Sequence, residues 1–119
     1  MTTLDISALT TQATNAPVSI NIQITTTVNI SAPAARQRIN RLVLEEVGTG
    51  LGSEEPALVV EQNKVLWRVP VVLSLPKLGR LGQVGSIDVD AQTGESLVDS
   101  KQLKDISDYA DRLATGSGA

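Results

Sequence analysis

The chain of 119 residues contains no cysteine, no histidine and no phenylalanine, and it has a single tryptophan and a single tyrosine. Without cysteine there is no disulfide and no thiolate nucleophile, and without histidine the Ser-His-Asp and Cys-His catalytic arrangements are excluded. The same absences remove the ligands that zinc and most redox metals prefer. We therefore predict a protein that is not an enzyme and that uses no metal or other cofactor.

Positive charge and long apolar runs are also scarce. Lysine and arginine number 10 against 13 acidic residues, so the net charge is −3 and a broad field that would attract phosphates is missing. No segment reaches the roughly 20 apolar residues of a membrane span. The first sixteen residues lack the positive start and apolar run of a secretory signal. We therefore predict a cytoplasmic protein that binds neither nucleic acid nor membrane.

The clearest pattern in the chain is an alternation of apolar and polar side chains over residues 18–30. Starting at Val18 and ending at Ile30, every even position except Thr26 carries a β-branched aliphatic side chain, and every odd position is polar. Because successive side chains point to opposite faces, this predicts a strand of about 43 Å with one buried face. We expect it to pair within the sheet or with its copy in a second subunit, and its length favours a homodimer.

Helical periodicity predicts two helices in the rest of the chain. The first begins after Ser31, a preferred N-cap residue followed closely by Pro33, and ends before Gly48. The second follows Asp99, another preferred N-cap residue. Its predicted apolar stripe consists of Leu103, Ile106, Ala110 and Leu113.

Between the two helices, strand signals alternate with turn signals. The longest predicted strand contains Pro70, which cannot donate a ladder hydrogen bond, so we expect a bulge or an unpaired edge there. Residues 76–82 are predicted to form a loop, because Pro76, Gly79 and Gly82 lie close together. The predicted strands are residues 57–60, 65–75, 84–90 and 95–98.

These elements predict an α+β fold, in which a helix packs on a small antiparallel sheet of three or four strands. A long N-terminal strand and a C-terminal helix are added to it. A hydrophobic content of 41% in a chain of this length is enough for one core. We predict a polar N-terminal segment at residues 1–16, a single domain at residues 17–114 and a flexible tail at residues 115–119.

Two stretches of the sequence resemble the PepSY-like family. One is the strand Trp-Arg-Val-Pro-Val at residues 67–71, and the other is Gly-Ser-Ile-Asp-Val-Asp-Ala-Gln-Thr-Gly-Glu at residues 85–95. The resemblance covers residues 34–98 and implies a helix on a small antiparallel sheet. It also implies a non-enzymatic module of a kind that occurs beside peptidases and restrains or regulates them. The chain differs from the family in its added N-terminal strand and in the predicted loop at residues 76–82, which is longer than the family's tight turn.

Positively charged side chains are concentrated mainly on the first predicted helix. Arg41 lies four residues before Glu45, at a spacing that allows an ion pair and favours a solvated helix face over an anion site. The tryptophan lies on the apolar face of its strand, where core packing is expected, although an exposed tryptophan would be a contact anchor. The candidate partner-binding residues are Arg36, Arg38, Arg41, Trp67, Lys77 and Arg80.

A second candidate site is the turn that follows the strand at residues 84–90. Its residues partly resemble a calcium-binding loop, but the glycine comes one position late and Gln92 replaces an acidic ligand. A plain turn between two strands is the better interpretation. The motif comprises Asp88, Asp90, Thr93, Gly94 and Glu95.

The sequence favours a small protein-binding or regulatory module without catalysis, which acts by strand addition or by presenting a sheet face to another protein. The possible restraint of a peptidase comes only from the family resemblance. One alternative is an antitoxin-like neutraliser that docks on a basic toxin through its charged C-terminal helix. A second alternative is an enzyme that uses Asp88 and Asp90, two carboxylates on one strand face.

Overall fold

The structure is a computed structural model, and it describes residues 27–116. Over these residues, two helices pack on one face of a five-stranded antiparallel sheet, which confirms the α+β fold. The predicted polar segment at residues 1–16 lies outside the described residues. The helices are α1 (Ala32–Glu46) and α2 (Ser100–Thr115), and the strands are β1 (Leu51–Ser53), β2 (Ala57–Glu61), β3 (Lys64–Leu75), β4 (Gly79–Asp90) and β5 (Ser96–Leu97).

The sheet is organised around β3, which pairs with β4 on one side and with both β1 and β2 on the other. β1 ends opposite Val71 and β2 starts opposite Arg68, so the neighbouring chain leaves the ladder beside Pro70. The carbonyl of Pro70 accepts a hydrogen bond of 3.0 Å from the Glu54 amide, and its missing amide hydrogen faces the same interruption. Pro70 is therefore tolerated in a central strand, and the expected bulge lies one residue later, between Val71 and Val72.

The predicted loop at residues 76–82 is wrong. β4 already begins at Gly79, and only a three-residue turn separates it from β3. Lys77 and Gly79 both have φ of +72°, which closes this short turn. Closely spaced glycines are a loop signal in a sequence, and the sequence does not show that a twelve-residue partner strand lies opposite them. The connection is thus tight.

The strand predicted at residues 18–30 does not extend to Ile30. Residues 18–26 lie outside the described residues, and residues 27–30 are not part of a strand. Instead, the amides of Asn29 and Ile30 both donate to the carbonyl of Ala91, at 2.8 and 3.2 Å. Ile30 is buried whereas Val28 is 42% exposed, so the two do not share a buried face. The indole Nε1 of Trp67 donates to the Ile30 carbonyl at 2.7 Å and fixes this segment against the sheet.

Both helices begin at the caps that the sequence predicts. The Ser31 side chain accepts a hydrogen bond of 3.2 Å from the Ala34 amide, and the Asp99 side chain accepts one of 2.8 Å from the Gln102 amide. The last helix continues through Thr115 and ends at Gly116, so Thr115, assigned to the predicted tail, belongs to the helix; residues 117–119 lie outside the described residues. The helix residues fully buried against the sheet are Ala35, Ile39, Val43, Ile106 and Ala110.

The core between helices and sheet is made of aliphatic side chains, as the composition predicts. On β3 the side chains at odd positions face this core. On β4 and in the turn after it, the side chains that face the core are those of Val84, Ile87, Val89 and Ala91. Trp67 is half-buried at the margin of this core, which agrees with the expected core packing. The helices lie over β1, β3 and β4, so that β2 extends beyond the covered part of the sheet.

Candidate functional site

The most exposed apolar part of the sheet is β2. Its residues Leu58 and Val60 are 49% and 46% exposed, although their cross-strand partners Trp67 and Val65 belong to the core. Residues directly opposite in an antiparallel pair share a sheet face, so these two side chains lie on the helix side. They stay exposed because α1 and α2 pack farther along the sheet.

The backbone of the same two residues points away from the sheet. The backbone groups of successive residues in a strand point to opposite sides. The carbonyl of Val65 accepts a hydrogen bond from the Ala91 amide on the β4 side, so the amide and carbonyl of Leu66 point toward β2. Leu66 lies opposite Val59, which makes Val59 a hydrogen-bonded partner. The amides and carbonyls of Leu58 and Val60 therefore point outward, and no strand of residues 27–116 pairs with them. We call the outward backbone and exposed side chains of Leu58 and Val60 the β2 edge.

The position of β2 is fixed at its C-terminal end. Gln62 and Asn63, at φ of +51° and +63°, form the two-residue turn that joins β2 to β3 and sets the register of the pair. Glu61 accepts a hydrogen bond of 2.7 Å from Arg68 on β3. The β2 edge is thus presented on a regular, hydrogen-bonded strand rather than on a loop.

Arg68 also binds Asp88, through two hydrogen bonds of 2.9 and 3.0 Å. Asp88, Arg68 and Glu61 form a chain of ion pairs on the face opposite the helices, although Glu61 lies opposite Lys64 rather than Arg68. The hydrogen bonds with Asp88 and then with Glu61 raise the pKa of Arg68. The outer face of this part of the sheet thus combines these ion pairs with the paired apolar residues Val59 and Leu66, whereas the helix side of β2 is apolar.

Asp90 shapes the turn between β4 and β5. Its carboxylate accepts hydrogen bonds from the amides of Gln92 and Thr93, at 2.8 and 3.1 Å, and its carbonyl accepts one from Gly94. These amides, Gln92 first, lower the pKa of Asp90. The Thr93 hydroxyl accepts from the Glu95 amide, and Gly94 has a φ of +78°. The motif is therefore a hydrogen-bonded turn, and no group of three acidic side chains in residues 27–116 could hold a metal ion.

Replacing Asp90 by alanine is expected to lower the free energy of unfolding by about 1–3 kcal/mol at pH 7, since two amides of the turn lose a charged acceptor. The Asp90 pKa is lowered on folding, so its stabilising contribution is present above the ordinary aspartate pKa and is lost as the pH falls through the lowered value. Urea unfolding at pH 7 and at pH 2 measures both effects.

The difference between wild type and Asp90→Ala should shrink at the lower pH. Glu95→Ala is the matched control, because Glu95 is an exposed acidic residue of the same turn. A difference of equal size at both pH values would contradict the role of the carboxylate charge.

The structure does not bring the positively charged candidates into one patch. Arg36 donates from Nε to the carbonyl of Ser53 at 3.1 Å, beside β1, whereas Arg38 donates to the carbonyl of Gly94 at 3.0 Å, near β5. These two strands form opposite ends of the sheet order. Positions i and i+2 of a helix face different directions, which explains the separation.

Two further candidates lie near Arg36. Arg41 lines the same groove as Arg36, and Arg80 and, after it, Arg36 lower the pKa of Glu54. Arg80 binds Glu54 through two hydrogen bonds of 2.8 and 3.1 Å, and Lys77 is exposed in the β3–β4 turn. Arg41 lies on the exposed side of α1, and the predicted ion pair with Glu45 does not form. Arg80 and Arg36 thus contact backbone or acid near β1, and they contribute to holding α1 and β4 there.

The sequence analysis did not single out Leu58 or Val60. Residues 57–60 were predicted as a strand, but nothing local indicates which strand lies at an edge. A weak signal is the unbroken apolar run from Leu58 to Val60, which is unusual for a strand with one buried face. The order of the strands supplies the missing information.

Within the described part of the chain, neither helix is both long and apolar enough to cross a bilayer. Comparison with known proteins gave no match to a family model, to a curated protein or to a solved structure.

Proposed function

We propose that this protein is a non-enzymatic protein-binding module, and that it binds an extended segment of another protein by strand addition at the β2 edge. The observation that carries the proposal is that two residues of β2, Leu58 and Val60, present outward backbone groups and exposed apolar side chains together. Unpaired strand edges of this kind are templates for another chain. A cytoplasmic location is part of the proposal, in keeping with a chain that contains no cysteine.

The two faces of β2 define the chemistry of the bound segment. On the helix side, its apolar residues would lie beside Leu58 and Val60. On the outer side, its polar residues would lie near the ion-paired Glu61 and Arg68, which share this face with Val59. Since side chains alternate along a strand, the expected ligand is a segment that alternates apolar and polar residues.

The contacts of the two candidate catalytic acids support a role without catalysis. Asp88 is bound by Arg68, and the carboxylate of Asp90 accepts two amides of its own turn. A general acid at neutral pH requires a raised pKa, whereas the pKa of Asp90 is lowered. These acids hold β3, β4 and the following turn in place.

The antitoxin-like alternative has less support, because the apolar stripe of α2 packs on the sheet. Ile106 and Ala110 are buried, and two of the charged pairs on its outer side are satisfied within the helix, at Lys101–Asp105 and Lys104–Asp108. The order of a helix followed by antiparallel strands agrees with what the PepSY-like resemblance implies. On that resemblance we propose a peptidase as the class of partner.

A displayed library of random ten-residue peptides, selected against the full chain, tests the proposal. Selected peptides are expected to alternate apolar and polar residues. Val60→Pro should weaken their binding by at least about tenfold, because it removes one outward amide without touching the hydrogen bonds between β2 and β3. Leu78→Ala is the control for the loss of an exposed apolar side chain away from β2, since Leu78 is an apolar, exposed residue in the β3–β4 turn.

Far-ultraviolet circular dichroism and urea unfolding of Val60→Pro show whether the fold is kept, and Leu58→Ala is a second variant with an unchanged backbone. Unchanged affinity in both variants, or selected peptides without alternation, would refute binding at the β2 edge.

A further inference from the structure

The β2 edge requires a strand that alternates apolar and polar side chains, and this chain contains one. Residues 18–24 carry Val18, Ile20, Ile22 and Ile24 at even positions and only uncharged polar residues between them. Resting on the proposed function, we propose that these residues of the same chain occupy the β2 edge and must be displaced before another protein binds.

The side-chain chemistry of the two partners matches on both faces. Apolar side chains of residues 18–24 would cover Leu58 and Val60, which are otherwise about half exposed. Their polar neighbours would lie on the face that carries Glu61 and Arg68, with Val59 beside Glu61 on the same face. Residues 18–30 include no charged side chain, so the segment would bring no charge close to Glu61. Pro17 lies just outside the segment, where it removes no ladder donor.

The point at which the described chain begins is close to the β2 edge. The amide of Ile30 binds the carbonyl of Ala91, the amide of Ala91 binds the carbonyl of Val65, and Val65 lies opposite Val60. These residues form one row across the sheet. At ~4.8 Å per strand, a strand added outside β2 lies about 14 Å from Ala91 along this row.

The connecting residues can span this distance. Asn29 is also bound to Ala91, and the five extended residue steps from Asn29 back to Ile24 reach about 16 Å at ~3.3 Å each. Residues up to 24 can therefore lie beside β2, and seven residues exceed the five of β2. The chain direction of β2 is toward the row that contains Val60. Residues 18–24 would run toward the same row, because residue 24 is the end nearest to Asn29, so the two strands would be parallel.

A short connection also favours the chain's own segment over that of a second copy, since tethering raises the local concentration to the millimolar range. A segment from another protein must compete with it. The N-terminal strand would thus act as an internal competitor that sets the threshold for binding at the β2 edge.

Engineered cysteines test this directly, because the chain has none of its own. Leu58→Cys is combined in the full chain with Ile20→Cys, Ile22→Cys or Ile24→Cys, one at a time, and oxidised. At least one pair is expected to form a disulfide within the monomer, since neighbouring strands bring Cα atoms to about 5–6 Å. Leu78→Cys with Ile22→Cys is the control and should not close.

Hydrogen exchange of the Leu58 and Val60 amides is the second measurement. Both should exchange at least about tenfold faster in Ile22→Pro than in wild type, because proline disrupts the added strand. Disulfides that link two chains, or amides of Leu58 and Val60 that exchange in wild type as fast as in Ile22→Pro, would overturn the inference. Failure of the peptide library to yield binders on Ile22→Pro, in which the β2 edge is freed, would refute the proposed function alone when the disulfide has formed.

Discussion

Replacing Ile39 by alanine is expected to lower the free energy of unfolding by about 2–5 kcal/mol. Ile39 is completely buried at the centre of α1, and it belongs to the core between this helix and the sheet. The substitution removes buried methyl and methylene groups and leaves a cavity that the packed neighbours Ala35 and Val43 fill only in part. Since domains are stable by only about 5–15 kcal/mol, this is a large share of the total.

Leu44→Ala is the matched control, because Leu44 lies on the same helix and is 49% exposed. Its effect should stay within about 0.5 kcal/mol. Urea unfolding followed by circular dichroism and by Trp67 fluorescence measures both variants. Equal effects at the two positions would contradict the placement of α1 on the sheet.

Gly85→Ala is expected to destabilise the protein by about 1–3 kcal/mol, through overpacking between β4 and α2. A β-carbon at Gly85 would lie 2.9 Å from Cγ1 of Ile106, closer than such atoms approach in folded proteins. Ile106 is only 3% exposed and belongs to the core between α2 and the sheet, so its displacement disturbs that packing. The entropic gain of about 0.5–1 kcal/mol from replacing glycine is smaller than this cost.

A double-mutant cycle with Ile106→Ala identifies the cause. With Ile106 shortened, Gly85→Ala should be tolerated better, so the two effects should differ from additivity by at least about 0.5 kcal/mol. Unfolding free energies of the four proteins give the coupling energy. Strict additivity would show that the cost of Gly85→Ala arises elsewhere than at Ile106.

The helices could be predicted from the sequence because their signals are local. Ser31 and Asp99 cap the first turns, and the apolar positions recur at helical spacing within each segment. The turn at residues 90–94 was predicted for the same reason, since its hydrogen bonds join residues two to four apart. Interactions of this kind depend only on neighbouring residues.

The start of β4 could not be predicted in this way. Gly79 and Gly82 have weak intrinsic preference for a strand, yet both pair with β3, at Leu75 and Leu73. Likewise, Pro70 lies in a central strand because the opposite chain leaves the ladder there. In both cases the pairing with another strand decides the outcome, and the preferences of the residue itself do not show it.

The amino-acid sequence by itself determined the class of fold, the two helices with their caps, and an aliphatic core without catalytic histidine or cysteine. Only the tertiary structure decided the order of the strands, and with it that β2 lies at an edge and exposes Leu58 and Val60. The physical reason is that periodicity records which face of a strand is buried, whereas its neighbours are chosen by backbone hydrogen bonds that are nearly the same for every residue.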